Sequence, residues 1–115
     1  MAKPRNLRDR VHFQQRGVVD DGAGNEVSGP WVTQFTVAAA FRPLRGGEAV
    51  MGARLEGRQP YIVTVRQSSQ TRQVSTDWRM VDAREPSHVF NVRASHDPDG
   101  LRAWLEILVE QGVAT

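Results

Sequence analysis

Cysteine is absent from the 115-residue chain, which excludes a disulfide framework, a thiolate zinc site and a cysteine nucleophile. Lysine is nearly absent as well: Lys3 is the only one, and every other member of the 15 basic residues is an arginine. Aromatic residues are few, three Trp, one Tyr and four Phe. A core claims most of them, leaving little for an exposed platform on which bases stack. No stretch approaches the roughly 20 consecutive apolar residues of a membrane-spanning helix. The basic start MAKPRNLRDRV has no apolar segment behind it and does not read as a signal peptide. A reducing cytoplasm is the default expectation.

What is present suits one small domain over residues 1–115. Hydrophobic residues make up 39% and charged residues 24%, and single cores typically hold about 100–150 residues. That length excludes a dinucleotide-binding fold joined to a substrate domain, and a (β/α)₈ barrel, which need roughly 200 residues or more. The formal charge is +2, yet the isoelectric point lies near 9.9 because arginine does not titrate near neutrality. Arginine forms planar bidentate contacts with carboxylate and phosphate, so the bias suits interfaces or nucleic-acid backbones; high-GC coding enriches it equally well.

Period-two alternation predicts most of the elements. Residues 1–7 lack it and read as a flexible arm. In Arg8–Arg16, Val11 and Phe13 share a face opposite Arg10, His12 and Gln14. Residues 17–30, GVVDDGAGNEVSGP, carry four glycines and a proline and read as a long turn or loop. Trp31–Phe41 is the clearest strand, with Trp31, Thr33, Phe35, Val37, Ala39 and Phe41 on one face; Pro43 ends it because proline cannot donate to a ladder. In the loop 42–59, the spacing of Ala49, Val50, Ala53 and Leu55 predicts a short helix over about Glu48–Glu56. Gly52 weakens it by about 1 kcal/mol relative to alanine.

Strands follow at Pro60–Gln67, Asp77–Asp82 and Val89–Ser95, the last with Phe90, Val92 and Ala94 inward; Ser68–Thr76 reads as a polar connection. Leu101–Gln111 fits two patterns. Leu101, Trp104, Leu105 and Leu108 form a helical stripe; Leu105, Ile107 and Val109 form a strand face. Five preceding strands favour a sixth, which closes an otherwise open edge. The expected fold is mainly β: a six-stranded antiparallel barrel or rolled sheet with one short helix between strands 2 and 3. Its core would draw on Val11, Phe13, Trp31, Phe35, Val37, Phe41, Val63, Val65, Trp78, Phe90, Val92 and Leu105.

Catalytic and metal signatures fail one after another. Ser95-His96-Asp97 names three triad residues, but neighbours on a strand point to opposite faces, and a triad needs side chains converging from separate elements. His12, His88 and His96 form no His-x-x-x-His pair. Asp97-Pro98-Asp99-Gly100 and Asp20-Asp21-Gly22-Ala23-Gly24-Asn25 resemble calcium loops but lack alternating oxygen ligands followed by a distal glutamate. Gly22-Ala23-Gly24 and Gly46-Gly47 lack the lysine and the strand–turn–helix setting of a phosphate loop. Neither an enzyme nor a cofactor is expected. Arginines run along the whole chain interspersed with 13 acids, which argues against one-sided electrostatics; a small nucleic-acid-binding barrel stays open as an alternative.

The ordered set of motifs resembles one family. The residues that carry the resemblance begin with Leu7, Arg10, Val11, Phe13 and Gln14, then Trp31. Next come Arg42-Pro43-Leu44, Gly46 and Glu48 leading into Ala53-Arg54, then Tyr61, Val63 and Val65-Arg66. Trp78-Arg79-Met80, Phe90-Asn91-Val92-Arg93, Asp97, Asp99-Gly100 and Trp104-Leu105-Glu106 complete it. This series is similar to the head–tail joining (head-completion or stopper) proteins of tailed phages, prophages and gene transfer agents. Many relatives carry a cysteine in the final strand that this chain lacks.

The resemblance implies a small barrel, without catalytic residues, that forms a ring after DNA packaging, of six- or twelve-fold symmetry, and is a monomer in isolation. The ring would sit in the virion at the head–tail interface, having assembled in the bacterial host cytoplasm. An adaptor or portal ring would lie above it and a tail terminator below, with DNA passing non-specifically through the lumen and no membrane involved. A tail-terminator or tail-tube ring subunit is the neighbouring alternative. Within this frame, Arg42, Arg45, Glu48, Arg54, Glu56 and Arg58 are expected on a loop that lines or gates the lumen. Arg8 and Arg10, with Asp20, Asp21, Asn25 and Glu26, are expected to contact partner rings, because loops carry recognition on a rigid scaffold.

Overall fold

The computed structural model of the chain describes residues 7–44, 59–98 and 100–111. Six strands carry the fold: β1 (Asp9–Asp20), β2 (Glu26–Pro43), β3 (Gln59–Arg66), β4 (Trp78–Asp82), β5 (Val89–His96) and β6 (Trp104–Gln111). They form a closed barrel in the order β1-β2-β3-β6-β5-β4. Every neighbouring pair is antiparallel, including the β1–β4 pair that closes the ring. Closure leaves no long unpaired edge within the barrel itself. Leu101–Gln111 is therefore strand from Trp104 onward: Leu105, Ile107 and Val109 are buried, and a helix would have left β3 and β5 without a shared partner.

Alternating hydrophobes fill the interior. Val11 and Phe13 of β1, Val63 and Val65 of β3, Met80 of β4, and Ile107 and Val109 of β6 are fully buried. Phe35, Val37, Phe41 and Tyr61 pack partly buried against them. Aromatic contacts gather at two levels of β2. Phe35 lies 5.3 Å from Phe13 and 5.8 Å from Trp78 between ring centroids, and Phe41 lies 5.3 Å from Phe90. Such tilted pairs add to what burial alone contributes. The connection 68–76 includes a 3₁₀ turn at Thr71–Gln73 that drops Val74 into the core. Thr71 is buried with its hydroxyl satisfied, donating to the Arg66 carbonyl at 2.8 Å and accepting from the Ser68 amide at 2.8 Å.

Three sequence expectations are corrected, and bulges explain two of them. First, residues 17–30 are not a loop. β1 runs to Asp20, β2 begins at Glu26, and only five residues turn between them, so glycine and proline here mark bulge and turn inside a hairpin rather than its absence. Second, Trp31 and Thr33 do not face the core. Phe13 pairs with Phe35 but Gln14 pairs with Thr33, leaving Gln34 as an extra residue. A bulge of this kind turns the residues beyond it to the other face. Third, a shift between Val92 and Ala94 does the same to Ala94, which is exposed. The predicted helix over Glu48–Glu56 lies outside the described residues.

Candidate functional site

β1 pairs with β4 only from Val11 to Gln15, and β2 with β3 only from Ala40 to Pro43. Beyond Gln15, β1 and the start of β2 have only each other, so Arg16–Trp31 projects as a two-stranded hairpin. Five residues from Arg16 to Asp20 extend it by roughly 16 Å at about 3.3 Å per residue. Val18, Val19, Val27 and Val32 are 67%, 44%, 42% and 50% exposed. Apolar β-branched side chains on a two-stranded ribbon stabilise its pairing and leave a sticky surface.

The hairpin tip is acidic and rigidly turned. Asp20 Oδ1 accepts from the Gly22 and Gly24 amides at 2.8 and 3.2 Å, and Asp21 Oδ1 accepts from Ala23 and Asn25 at 2.8 and 3.3 Å. Gly22 and Gly24 have φ of 89° and 85°, where a side chain would be strained. The Ala23 amide first, then Asn25, holds the Asp21 carboxyl below the usual carboxylate range. The calcium-like spacing therefore serves turn formation. Asn25 closes the turn through its carbonyl, which accepts from the Asp21 amide at 3.0 Å, and Glu26 opens β2 beside it.

At the hairpin's base, on the outer wall, the bulge brings Trp31 beside two arginines. The Arg79 guanidinium carbon lies 4.5 Å from the Trp31 ring centroid and that of Arg16 5.5 Å. Arg16 Nε donates to the Gly29 carbonyl at 2.7 Å. Arg79 Nε donates to Gln14 Oε1 at 2.7 Å, and Gln14 Nε2 donates to Thr33 Oγ1 at 3.0 Å. Partial burial, then the charge of Arg16, lower the Arg79 pKa. Among the described residues no carboxylate forms an ion pair with either guanidinium. Sequence reasoning missed this cluster because the alternation rule placed Trp31 in the core; only the register shift at Gln34 exposes it.

The remaining expected site residues are scattered. Arg8 and Arg10 are exposed at the start of β1, where their carbonyls accept from Arg84 Nη2 at 3.2 Å and from the Ala83 amide at 2.9 Å. Arg10 also lines a cleft of about 380 Å³ shared with Arg66, whose guanidinium lies 5.0 Å from the Trp104 ring. Arg42 is exposed near the end of β2; Arg45, Glu48, Arg54, Glu56 and Arg58 lie outside the described residues. The structure thus gathers Asp20, Asp21, Asn25 and Glu26 at one tip and leaves Arg8 and Arg10 on the barrel wall.

No catalytic arrangement emerges from the described residues. Asp97 accepts from the Gly100 and Arg102 amides at 2.9 and 2.8 Å, which ties it to a turn rather than to His96. His96 instead faces Glu106 at 3.4 Å, and His88 faces Glu85 at 3.4 Å. Among the described residues no group of three or more His, Asp or Glu side chains is placed to hold a metal ion. No described helix is long and apolar enough to cross a membrane.

Comparison with known proteins adds the following. Residues 2–112 match the family model described as phage head completion protein. A chain of the virion of a native gene transfer agent particle is similar in structure, with a TM-score of 0.66 and 23% identity over 97% of this chain and 100% of that one. Protein SF1141 from Shigella flexneri 2a is similar too, with a TM-score of 0.68 and 22% identity over 95% of this chain and 96% of that one. No curated protein matches.

Proposed function

The chain belongs to the phage head completion protein family, and from that premise we propose that it is a structural virion subunit forming a ring at the head–tail interface. The ring closes the DNA exit after packaging and offers the tail a platform, in a phage, a prophage or a gene transfer agent. The observation that carries this reading is the family match over residues 2–112. A closed barrel with a projecting hairpin supports it, because a closed barrel is inert towards edge pairing and leaves the projection free to bind. In the assembled particle a portal or adaptor ring lies on one side, a tail terminator on the other, and DNA in the lumen.

Two elements divide the work in this proposal. Arg8 and Arg10, on the barrel wall, face an adjoining ring. Arg42, expected on the loop, is instead held in the β2–β3 ladder opposite Ile62. It is the connection beyond it, with Arg45, Glu48, Arg54, Glu56 and Arg58, that lines the channel and swings aside at ejection, because a ring repeats one loop around its axis and multiplies a small contribution per copy.

The test is to produce particles without the chain. Filled heads should accumulate, lose DNA and carry no tails, and supplying the chain in trans should restore tailed particles. Normal yields of infective particles in its absence overturn the proposal. Deleting Gly47–Gly57 isolates the gating step: tailed particles should form but leak DNA, whereas full retention with normal infectivity removes the loop from the mechanism.

A further inference from the structure

We propose that the Arg16–Trp31–Arg79 cluster is the seat for the acidic hairpin tip of a second copy of this chain, an inference that rests on the ring reading above. Among the described residues both guanidiniums hydrogen-bond only through Nε, to Gly29 and to Gln14, which leaves their terminal amino groups to take a carboxylate. Arginine takes carboxylates through two parallel bonds, and the Trp31 ring restrains both side chains from one side. Two like charges share this spot, with the charge of Arg16 among the causes that lower the Arg79 pKa. An anion would relieve that repulsion.

The same molecule carries the complementary group. Asp20, Asp21 and Glu26 stand together at the hairpin tip, all exposed, and no described cation forms an ion pair with them. They cannot reach their own cluster. Asp20 lies four residues beyond Arg16 on the same strand, roughly 13 Å away at about 3.3 Å per residue. Past the register shift between Arg16 and Val18 the ribbon pairs again from Val18–Ser28 to Asp20–Glu26, which holds the tip away from the base. Two complementary patches at different places on one protein form a head-to-tail contact, and such contacts generate closed rings when the rotation closes. The exposed Val19 and Val27, paired across the ribbon, give the same projection an apolar flank to bury as it docks.

The absence of native cysteine makes the test clean. Ala23→Cys at the tip and Thr33→Cys beside the cluster are introduced into one chain, supplied to particle-producing cells, and treated with a short bismaleimide. Purified particles should yield a ladder of covalent oligomers, absent from either single variant. Neutralising the tip with Asp20→Asn, Asp21→Asn and Glu26→Gln keeps the turn's oxygen acceptors and should reduce cross-linking at least fivefold. Particles that contain the chain only as monomers overturn the contact and leave the ring reading standing; particles that never contain the chain overturn both. Loss of DNA retention in Arg16→Gln/Arg79→Gln, with no ladder from the wild-type tip, identifies phosphate as the occupant and also overturns it. Should the cysteine pair impair folding, charge exchange decides instead: Arg79→Glu or Glu26→Arg alone should exclude the chain from particles, and the two together should restore it. Failure of the pair to restore it counts against the contact.

Discussion

Trp31 and Trp78 have the same place in the alternation of the sequence and opposite places in the fold, so truncating each to alanine tests the bulge at Gln34 directly. Trp78 is 4% exposed and stacks at 5.8 Å on Phe35. Removing such a side chain costs about 3–5 kcal/mol through lost burial and the cavity left behind. Trp31 lies on the outer wall, where it loses chiefly two contacts with arginine, each about 0.5–1 kcal/mol at an exposed site. The expected cost is about 1–2 kcal/mol, including its partly covered ring edge. A protein of this length typically has roughly 6–17 kcal/mol in total, so both variants should fold at low temperature. With a urea slope of about 1.5–2 kcal/mol per molar, Trp78→Ala should lower the midpoint by about 2–3 M, and Trp31→Ala by about 1 M or less. Far-ultraviolet circular dichroism is the suitable probe, since each substitution removes a fluorophore. If Trp31→Ala costs as much as Trp78→Ala, the outward position of Trp31 is wrong, and the proposed docking seat goes with it.

Two further outcomes follow from buried and turn hydrogen bonds. Thr71→Val removes the hydroxyl that donates to the Arg66 carbonyl and accepts from the Ser68 amide; leaving these buried groups unpaired should cost about 1–3 kcal/mol. Thr71→Ser should recover most of it, and equal losses for both variants in urea denaturation would show that packing, not the hydroxyl, decides. Acid should loosen the hairpin tip before the barrel. Asp21 is held below the ordinary value by the Ala23 amide, and Asp77 by the Ser75 hydroxyl and then Gln15. A depressed carboxyl contributes stability that is present above its unfolded value, about 3.9, and lost as pH falls through the folded value. Amide exchange at Ala23 and Asn25 should therefore rise as pH drops below about 4, relative to the intrinsic rate, while that of Val63 and Ile107 stays protected. Simultaneous loss at all four positions argues against a local event.

Much of the fold was legible from the chain alone because barrel strands obey a rule of period two. Val11 and Phe13, Val63 and Val65, Phe90 and Val92 announced an inward face, and Pro43 announced where β2 stops. The argument against a Ser95-His96-Asp97 triad rested on the same rule, since Ser95 and His96 cannot converge on one face of a strand. The rule fails where one extra residue enters a ladder. A bulge leaves no mark in composition; it is decided by how two strands distant in sequence settle their register, so the outward turns of Trp31 and Ala94 were invisible until the strands were paired.

The hairpin was hidden for a related reason. An exposed ribbon needs no hydrophobic alternation, and its glycines and proline look like those of a loop. Sequence by itself determined the mainly β class, the number of strands, the identity of most core residues and the likeness to a family. Only tertiary structure decided the closure of the barrel, the reach of the β1–β2 projection, and the meeting of Arg16, Trp31 and Arg79. That meeting depends on long-range strand pairing, which local sequence patterns do not encode.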